Sequence, residues 1–215
     1  MFGAAPSKLP QQIGFLLLPN FSMIAFASAV EALRLANRTS GRALYGWTLI
    51  TRDGQPVKAS NGISFNPDAA IDKAPSVEML ILCSGIGGHL YSDKAVFSWL
   101  RRLDRQGTTI GALCTGSHAL ARAGLLDGYR CTIHWENITG FVEEFPEIEV
   151  TNELFEIDRN RFTCSGGTAA LDMMLNLIGR QHGHELAAAV SDQFIHERIR
   201  DAHDHQRMSL PARLG

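Results

Sequence analysis

The chain has 215 residues, 45% of them hydrophobic, with a formal net charge of −2 at pH 7 and a sequence pI near 6.4. That length fits a single α/β domain with a sizeable core. The small negative net charge gives no indication of the positive surface that nucleic-acid binding requires in this chain. No run of about 18 uncharged apolar residues occurs, which excludes a membrane-spanning helix.

The first half of the chain is predicted to alternate buried strands with amphipathic helices. The start, MFGAAPSKLPQQ, lacks the apolar centre of a signal peptide, so residues 1–11 are predicted to be a disordered lead. An apolar run closed by Pro19 predicts a central parallel strand, and Ser22 is a plausible N-cap for the helix that follows. Further along, the patterns predict strands at 45–51 and 77–85, a hairpin-like extension at 53–68 and a helix at 94–107.

The second half continues the alternation. The predicted elements are a strand at 108–114, a helix at 116–125, a short strand at 129–135, a helix at 137–146, one or two strands at 148–164, and helices at 168–183 and 184–200. This order predicts a flavodoxin-like α/β fold, with a doubly wound, mostly parallel sheet and helices on both faces. Residues 12–200 would form the domain, and 201–215 a tail or the beginning of a linker.

The cysteines and histidines give no sign of a metal site. The four cysteines form no C-x-x-C pair, which argues against a zinc knuckle or a disulfide framework. Scattered single thiols are typical of a reducing compartment, so a cytoplasmic location is expected. Five histidines cluster late in the sequence, but none makes an H-x-x-x-H pair on a helix. No metal and no cofactor are therefore predicted.

The stretch TTIGALCTGSHALARAGLLDG places Cys114 between a predicted strand and a predicted helix. Ala112 and Gly116, two residues to either side, are small enough for a tight turn. Such a turn lifts a thiol into the crevice at the carboxyl end of a parallel sheet, where ligands bind. The helix N-terminus would favour the thiolate, and the N–H of Thr115 could help form an oxyanion hole. The alternative is that Cys114 is a small buried apolar residue, as free cysteines usually are.

Two further residues are candidates for the same crevice. Gly85 follows a buried strand in LILCSGIGG, where its backbone N–H could meet the crevice, although no G-x-G-x-x-G fingerprint is present. His134 in TIHWE lies at a predicted strand end and could hydrogen-bond Cys114, as in cysteine–histidine pairs. A glycine turn without a partner and a structural histidine remain the alternatives.

The segment GALCTGSHALARAGLLDGYRCTIHWENITGFVEEFP resembles the nucleophile-elbow region of the PfpI/ThiJ superfamily, whose sheet is of the class I glutamine amidotransferase-like type. The resemblance extends over about residues 12–200. Within the superfamily, the chain is similar to the sensor domains at the N-terminus of AraC-family transcriptional regulators of the GlxA type. LLPNFSMIAFASAVEALRLANR and DHQRMSLPARLG resemble regulators of carnitine, glycine betaine and arginine catabolism.

That resemblance implies a small-molecule effector and a homodimer. It also implies DNA binding through a C-terminal helix-turn-helix domain, which needs its own packed helices and is not present in this chain. No contact with a membrane is expected. A quaternary ammonium effector would be held by an aromatic cage, for which Phe21 and Trp135 are candidate walls, with the core as the equally open alternative. The carboxylate end of an effector could meet the backbone N–H groups of Gly85 and Thr115.

The chain departs from the enzymes of this superfamily in two places. Those enzymes carry a carboxylate just after the first strand, hydrogen-bonded to the cysteine, at a position that falls near Ala25. No Asp or Glu occurs between Ile13 and Val30. Bulky Ile86 stands where the family often has a second glycine, and it is expected to narrow the crevice mouth.

Three functions therefore remain open. Loss of a proton-transfer partner costs about 10²–10⁴-fold in rate, which favours a non-catalytic ligand sensor. The alternative is a cysteine-dependent amidase, isocyanide hydratase or glyoxalase-like hydrolase that uses Cys114 and His134. A third hypothesis is a redox-responsive binding protein that senses through Cys114.

Overall fold

The computed structural model describes residues 2–6 and 8–207, which form eleven strands and six α-helices in the order that follows. They are β1 (Gln11–Leu17), α1 (Met23–Ser40), β2 (Tyr45–Thr51), β3 (Val57–Lys58), β4 (Ser64–Phe65), β5 (Ala69–Ala70), β6 (Met79–Cys83), α2 (Lys94–Arg105), β7 (Thr109–Leu113), α3 (Gly116–Arg122), β8 (Arg130–Thr132), α4 (Ile138–Glu144), β9 (Glu149–Thr151), β10 (Phe155–Asp158), β11 (Arg161–Cys164), α5 (Ala169–His182) and α6 (His184–Gln193). Two short 3-10 turns cover Gly88–Leu90 and Trp135–Asn137.

A seven-stranded sheet runs through the centre in the order β10-β11-β7-β6-β1-β2-β5. Its strand pairs are parallel except for β10 with β11. The direction of chain progression reverses between β1 and β6, which makes this the switch point where such sheets open a crevice at their carboxyl ends. The predicted flavodoxin-like, doubly wound and mostly parallel sheet is confirmed.

Side chains of β1, and of Leu18 directly after it, alternate between two separate hydrophobic cores. Phe15 and Leu17 belong to a core that includes residues of α1, α5 and α6, whereas Leu16 and Leu18 belong to a core that includes residues of α2, α3 and α4. An apolar run without polar interruption is what a strand buried on both faces requires. The central strand therefore holds helices on both sides of the sheet, as predicted.

The predicted hairpin-like extension is present and contributes to the crevice. β3 and β4 pair antiparallel, in a small sheet of their own. Ala59 makes a β-bridge with Phe21, and the N–H of Ser60 donates to the Phe21 carbonyl at 2.9 Å. The extension thereby brings Ser60 to the carboxyl end of β1.

Several predicted elements differ from the structure at their ends. The last helix stops at Gln193 rather than at residue 200, because the chain turns at Ile195, whose φ is 53°. The region 148–164 holds three strands instead of one or two, and β9 pairs with β8 outside the main sheet. Ser22 does precede α1, but its side chain makes no capping hydrogen bond.

The predicted disordered lead is wrong for the residues that the structure describes. Phe2 is only 3% exposed, and its ring centroid lies 4.9 Å from that of Phe162. The side chain of Gln181 donates to the carbonyl of Ala4 at 2.8 Å. Burial of one aromatic ring therefore anchors the N-terminus onto the core.

Of the predicted tail, residues 201–207 pack against the domain, and 208–215 lie outside the described residues. None of the described helices is both long enough and apolar enough to cross a membrane.

Candidate functional site

Cys114 occupies a sharp bend between β7 and α3. Its φ is 59°, a left-handed conformation that costs a non-glycine residue about 1–2 kcal/mol. A Cβ on Gly116 would lie 2.8 Å from the carbonyl oxygen of Leu82 and 3.0 Å from the Cβ of Ala112. The bend therefore packs directly onto β6, and the predicted need for a small residue at Gly116 is confirmed.

Gly166 also fits closely against the cysteine. It follows β11 with a φ of 97°, and a Cβ at this position would lie 2.9 Å from the Cβ of Cys114 and 3.2 Å from its Sγ. A larger residue would collide with the bend. The GG pair in CSGG, directly after a predicted strand, was the signal in the sequence that could have identified this position.

A cavity of about 390 Å³ opens at the bend, at the switch point of the sheet. Its volume lies within the range typical of small-molecule sites. The lining residues share a location after strand ends or in the hairpin extension, and they are Ser22, Ser60, Gly85, Ile86, Gly87, His89, Cys114, Thr115, His134, Glu136 and Asn137. Four of the residues selected from the sequence, Gly85, Cys114, Thr115 and His134, thus come together in one pocket.

Hydrogen bonds tie the end of β6 to the bend. The hydroxyl of Thr115 donates to the carbonyl oxygen of Gly85 at 2.6 Å and lies 3.1 Å from the Ser84 hydroxyl. A Cβ on Gly85 would lie 2.3 Å from the carbonyl oxygen of Asn20, so a glycine is required there by backbone packing. Ile86 lines the pocket and is 68% exposed, in keeping with the predicted narrowing of the mouth.

The thiol of Cys114 is held in its neutral form. It is 9% exposed, and burial raises its pKa to about 11, with a further rise from the negative charge of Glu136. The backbone N–H of Thr115 acts in the opposite direction but does not offset burial. At pH 7 only about one thiol in 10⁴ is ionised. The expected stabilisation of the thiolate by the helix N-terminus is therefore outweighed by desolvation.

The predicted pairing of Cys114 with His134 is not formed. His134 lines the pocket, but its Nδ1 accepts a hydrogen bond from the N–H of Glu136 at 3.4 Å. Within the described part of the chain, no hydrogen bond joins the Cys114 thiol to a histidine or a carboxylate. Ala25, near the position where enzymes of the superfamily carry their acid, is fully buried in α1.

The predicted aromatic walls, Phe21 and Trp135, are wrong. Phe21 is fully buried, with the rings of Phe26 and Phe65 centred 5.4 and 5.5 Å away. Trp135 is 39% exposed but lies outside the pocket, with the guanidinium of Arg207 4.3 Å from its ring centre. Since Trp135 sits between two pocket-lining residues in a tight turn, its side chain points away from the cavity.

Sequence reasoning missed five polar or ionisable residues of the lining. They are Ser22, Ser60, His89, Glu136 and Asn137. Glu136 and Asn137 directly follow the HW pair in TIHWEN, so the signal was adjacent to a motif already selected. Ser60 comes from the hairpin extension, and no local pattern connects it with the cysteine.

A buried histidine lies beside the pocket. His118 on α3 is 2% exposed, and its ring centroid is 6.2 Å from that of the pocket residue His89. Burial lowers the pKa of His118 to about 4, although the carboxylate of Glu144 lies 3.7 Å away. Among residues 2–6 and 8–207, no group of three or more histidine, cysteine, aspartate and glutamate side chains is placed to hold a metal ion.

The family follows from a match to a protein-family model. The model of the DJ-1/PfpI family matches residues 11–180. The chain belongs to the DJ-1/PfpI family.

Members of the DJ-1/PfpI family and their solved structures show the range of proteins that this chain resembles. It is 55% identical over 209 residues to the HTH-type transcriptional regulator GbdR of Pseudomonas aeruginosa, covering 97% of this chain and 57% of GbdR. It is 29% identical to isonitrile hydratase of Pseudomonas putida, covering 85% of this chain and 77% of the hydratase. The crystal structure of an AraC family transcriptional regulator from Pseudomonas putida has a TM-score of 0.78 at 28% identity, covering 86% of this chain and 100% of that one.

The chain thus spans less than two thirds of the length of the HTH-type regulator that it matches at 55% identity. The DJ-1/PfpI fold, the bend at the cysteine and the likeness to regulators together confirm the resemblance stated from the sequence.

Proposed function

We propose that this chain is the ligand-sensing domain of an AraC-family transcriptional regulator and that its effector binds in the pocket around Cys114. The observation that carries the proposal is the 55% identity to an HTH-type regulator over 97% of this chain. DNA contact belongs to a helix-turn-helix domain outside these 215 residues, in a cytoplasmic homodimer. The effector acts by favouring one arrangement of that assembly over another.

The chemistry of the pocket favours binding over catalysis. A nucleophilic cysteine needs its thiolate, and burial raises the pKa of Cys114 to about 11. A general base must lie within hydrogen-bond reach of the proton it removes, and neither a histidine nor a carboxylate is bonded to this thiol in the described residues. A neutral thiol can instead serve as a small, weakly polar part of a binding surface.

The lining supports a small cationic metabolite, a quaternary amine or an amino acid. Glu136 contributes a carboxylate to the lining, and the described lining holds no lysine or arginine. Hydroxyl and amide groups of Ser22, Ser60 and Asn137 supply hydrogen-bond partners for the polar parts of such a ligand. With Phe21 in the core, the attraction for the cation comes from a carboxylate rather than from an aromatic cage.

Calorimetric titration of the chain with glycine betaine, carnitine and arginine tests the proposal. We expect heat of binding with at least one compound, and an affinity reduced about fivefold in Glu136→Gln, as is typical of a partly exposed ion pair. Glu149→Gln, an exposed carboxylate on β9 outside the pocket, is the matched control and should bind as the wild type. Absence of heat with all three compounds would remove this class of effector.

A cysteine-dependent hydratase or hydrolase is the second candidate. It is favoured by the intact bend at Cys114 and by the 29% identity to isonitrile hydratase. Turnover of an isocyanide by the purified chain, abolished by Cys114→Ala, would establish this function in place of the sensor.

A further inference from the structure

The segment that follows α6 folds back onto the domain through backbone contacts and three side-chain anchors. We call residues 194–207 the C-terminal strap. It leaves α6 through Ile195, whose left-handed backbone turns the chain, and the N–H of Leu154 donates to its Ala202 carbonyl at 2.9 Å. A β-bridge between Glu153 and His205 continues the contact. The strap therefore lies along the loop between β9 and β10.

The first anchor of the strap is a buried carboxylate. Asp172 on α5 is completely inaccessible to solvent. Its oxygens accept hydrogen bonds from the backbone N–H of Arg200 at 2.7 Å and from its guanidinium at 2.6 and 2.9 Å. The Nε2 of His196 lies 2.8 Å from the same carboxylate. Because a buried charge is costly unless it is paired, Asp172 holds the middle of the strap on the domain.

The second anchor reaches the strand that leads into the pocket. The side-chain Nε2 of Gln206 lies 3.0 Å from the carbonyl oxygens of Ile133 and Glu153 and from the hydroxyl of Thr132. Ile133 directly precedes His134, whose side chain lines the pocket. The strap thus contacts the backbone immediately before the pocket wall.

The third anchor lies on the outer side of that wall. The guanidinium of Arg207 is centred over the ring of Trp135 at 4.3 Å. Trp135 belongs to the 3-10 turn Trp135–Asn137, and its ring is 5.6 Å from that of His134. Glu136 and Asn137 of the same turn line the cavity on the inner side. One turn of backbone therefore carries pocket contacts on one side and strap contacts on the other.

We propose that this turn transmits occupancy of the pocket to the C-terminal strap, with Gln206 and Arg207 as the coupling residues. A group that fills the cavity contacts His134, Glu136 and Asn137 among its lining residues, and their displacement moves Trp135 and the Ile133 carbonyl. The strap loses its second and third anchors while Asp172 keeps the first. The inference rests on the proposed function only in taking the pocket as the ligand site.

The test uses iodoacetamide as the occupant of the pocket, so that it needs no knowledge of the effector. At pH 9 the Cys114 thiolate attacks the methylene carbon, a carbon–sulfur bond forms, iodide leaves, and the thiol proton has gone to solvent. Hydrogen exchange by mass spectrometry then follows the amide of Leu154, which donates to the strap at Ala202, and the amide of Arg200, which reports the retained anchor at Asp172. We expect exchange at Leu154 to be about fivefold faster in the alkylated chain, at the lower end of typical coupling between sites, and exchange at Arg200 to be unchanged. Cys114→Ser, treated identically, should show no change.

A matched pair of variants tests the route. In the double variant Gln206→Ala with Arg207→Ala, alkylation should no longer alter exchange at Leu154. Arg198→Ala removes an exposed strap arginine that pairs with Asp204 and does not contact the turn, and it should respond as the wild type. Unchanged exchange at Leu154 in a wild-type chain with its Cys114 adduct verified by mass would overturn the proposal. So would an undiminished response in the double variant. Absence of binding in the metabolite titration would refute the proposed class of effector, but it would not change the result expected from these exchange experiments.

Discussion

The reactivity of Cys114 separates a sensor pocket from a catalytic site. Burial raises the pKa of this thiol from 9.0 to about 11. At pH 7 the ionised fraction therefore falls from about 10⁻² to about 10⁻⁴, because each pKa unit is a factor of ten. Since the thiolate is the nucleophile, alkylation at neutral pH is expected to be about 100-fold slower than for an ordinary thiol.

The assay measures the rate of carbamidomethylation between pH 6 and pH 10 by intact mass, with peptide mapping to assign the site. The rate at Cys114 should rise about tenfold per pH unit throughout this range, whereas glutathione in the same buffers levels off near its own pKa. The other thiols should react more slowly still, because burial raises the pKa of Cys131 and Cys164 to about 12. Cys114→Ser gives their background rate.

A second variant tests the electrostatic part of the argument. Glu136→Gln removes a negative charge that raises the pKa of Cys114, so the variant should alkylate faster at a given pH, with burial still the larger cause. A rate profile that levels off below pH 8 in the wild type would refute this account of the thiol. It would mean that Cys114 is an activated nucleophile, as a hydratase requires.

Three further predictions concern stability. Burial lowers the pKa of His118 to about 4. Below pH 6.5 the unfolded chain therefore binds a proton at this histidine that the folded chain does not bind. The free energy of unfolding should be highest above pH 6.5 and fall by about 3 kcal/mol towards pH 4. Urea titrations of His118→Phe should show no such fall. Arg200→Ala leaves a buried carboxylate of α5 without its guanidinium and should cost about 3 kcal/mol in urea unfolding, whereas Arg198→Ala should cost under about 0.5 kcal/mol. Gly166→Ala should lower the melting temperature more than Gly167→Ala, because both have positive φ but only the first would bring a Cβ within 4 Å of other atoms; equal losses would contradict the packing argument.

The sheet was predictable because its signals are local. Phe15 and Leu16 of β1 lie in opposite cores. A strand whose residues are apolar on both faces is expected to be buried on both faces of the sheet. The bend at Cys114 was equally local, because Gly116 lies two residues away and is required by contact with β6. Turn residues and periodicity act over a few positions, so they can be interpreted without knowledge of distant contacts.

The composition of the pocket was predicted only in part. Gly85, Cys114, Thr115 and His134 follow strand ends, and the carboxyl ends of parallel strands meet at one edge of a sheet. Phe21 also follows a strand end, yet its ring belongs to the core, because the hairpin extension supplies Phe65 as a partner. Whether a side chain near a strand end faces the crevice depends on packing between elements, which periodicity does not encode.

The sequence by itself determined the alternation of strands and helices, the tight bend that carries Cys114, and the absence of an acid between Ile13 and Val30. Only the tertiary structure decided that this thiol is neutral, since its pKa depends on how much solvent the surrounding loops exclude. It also decided that Arg200 leaves the predicted last helix to meet Asp172, 28 residues away in the chain. Both are consequences of burial, a property of the folded chain that no single segment contains.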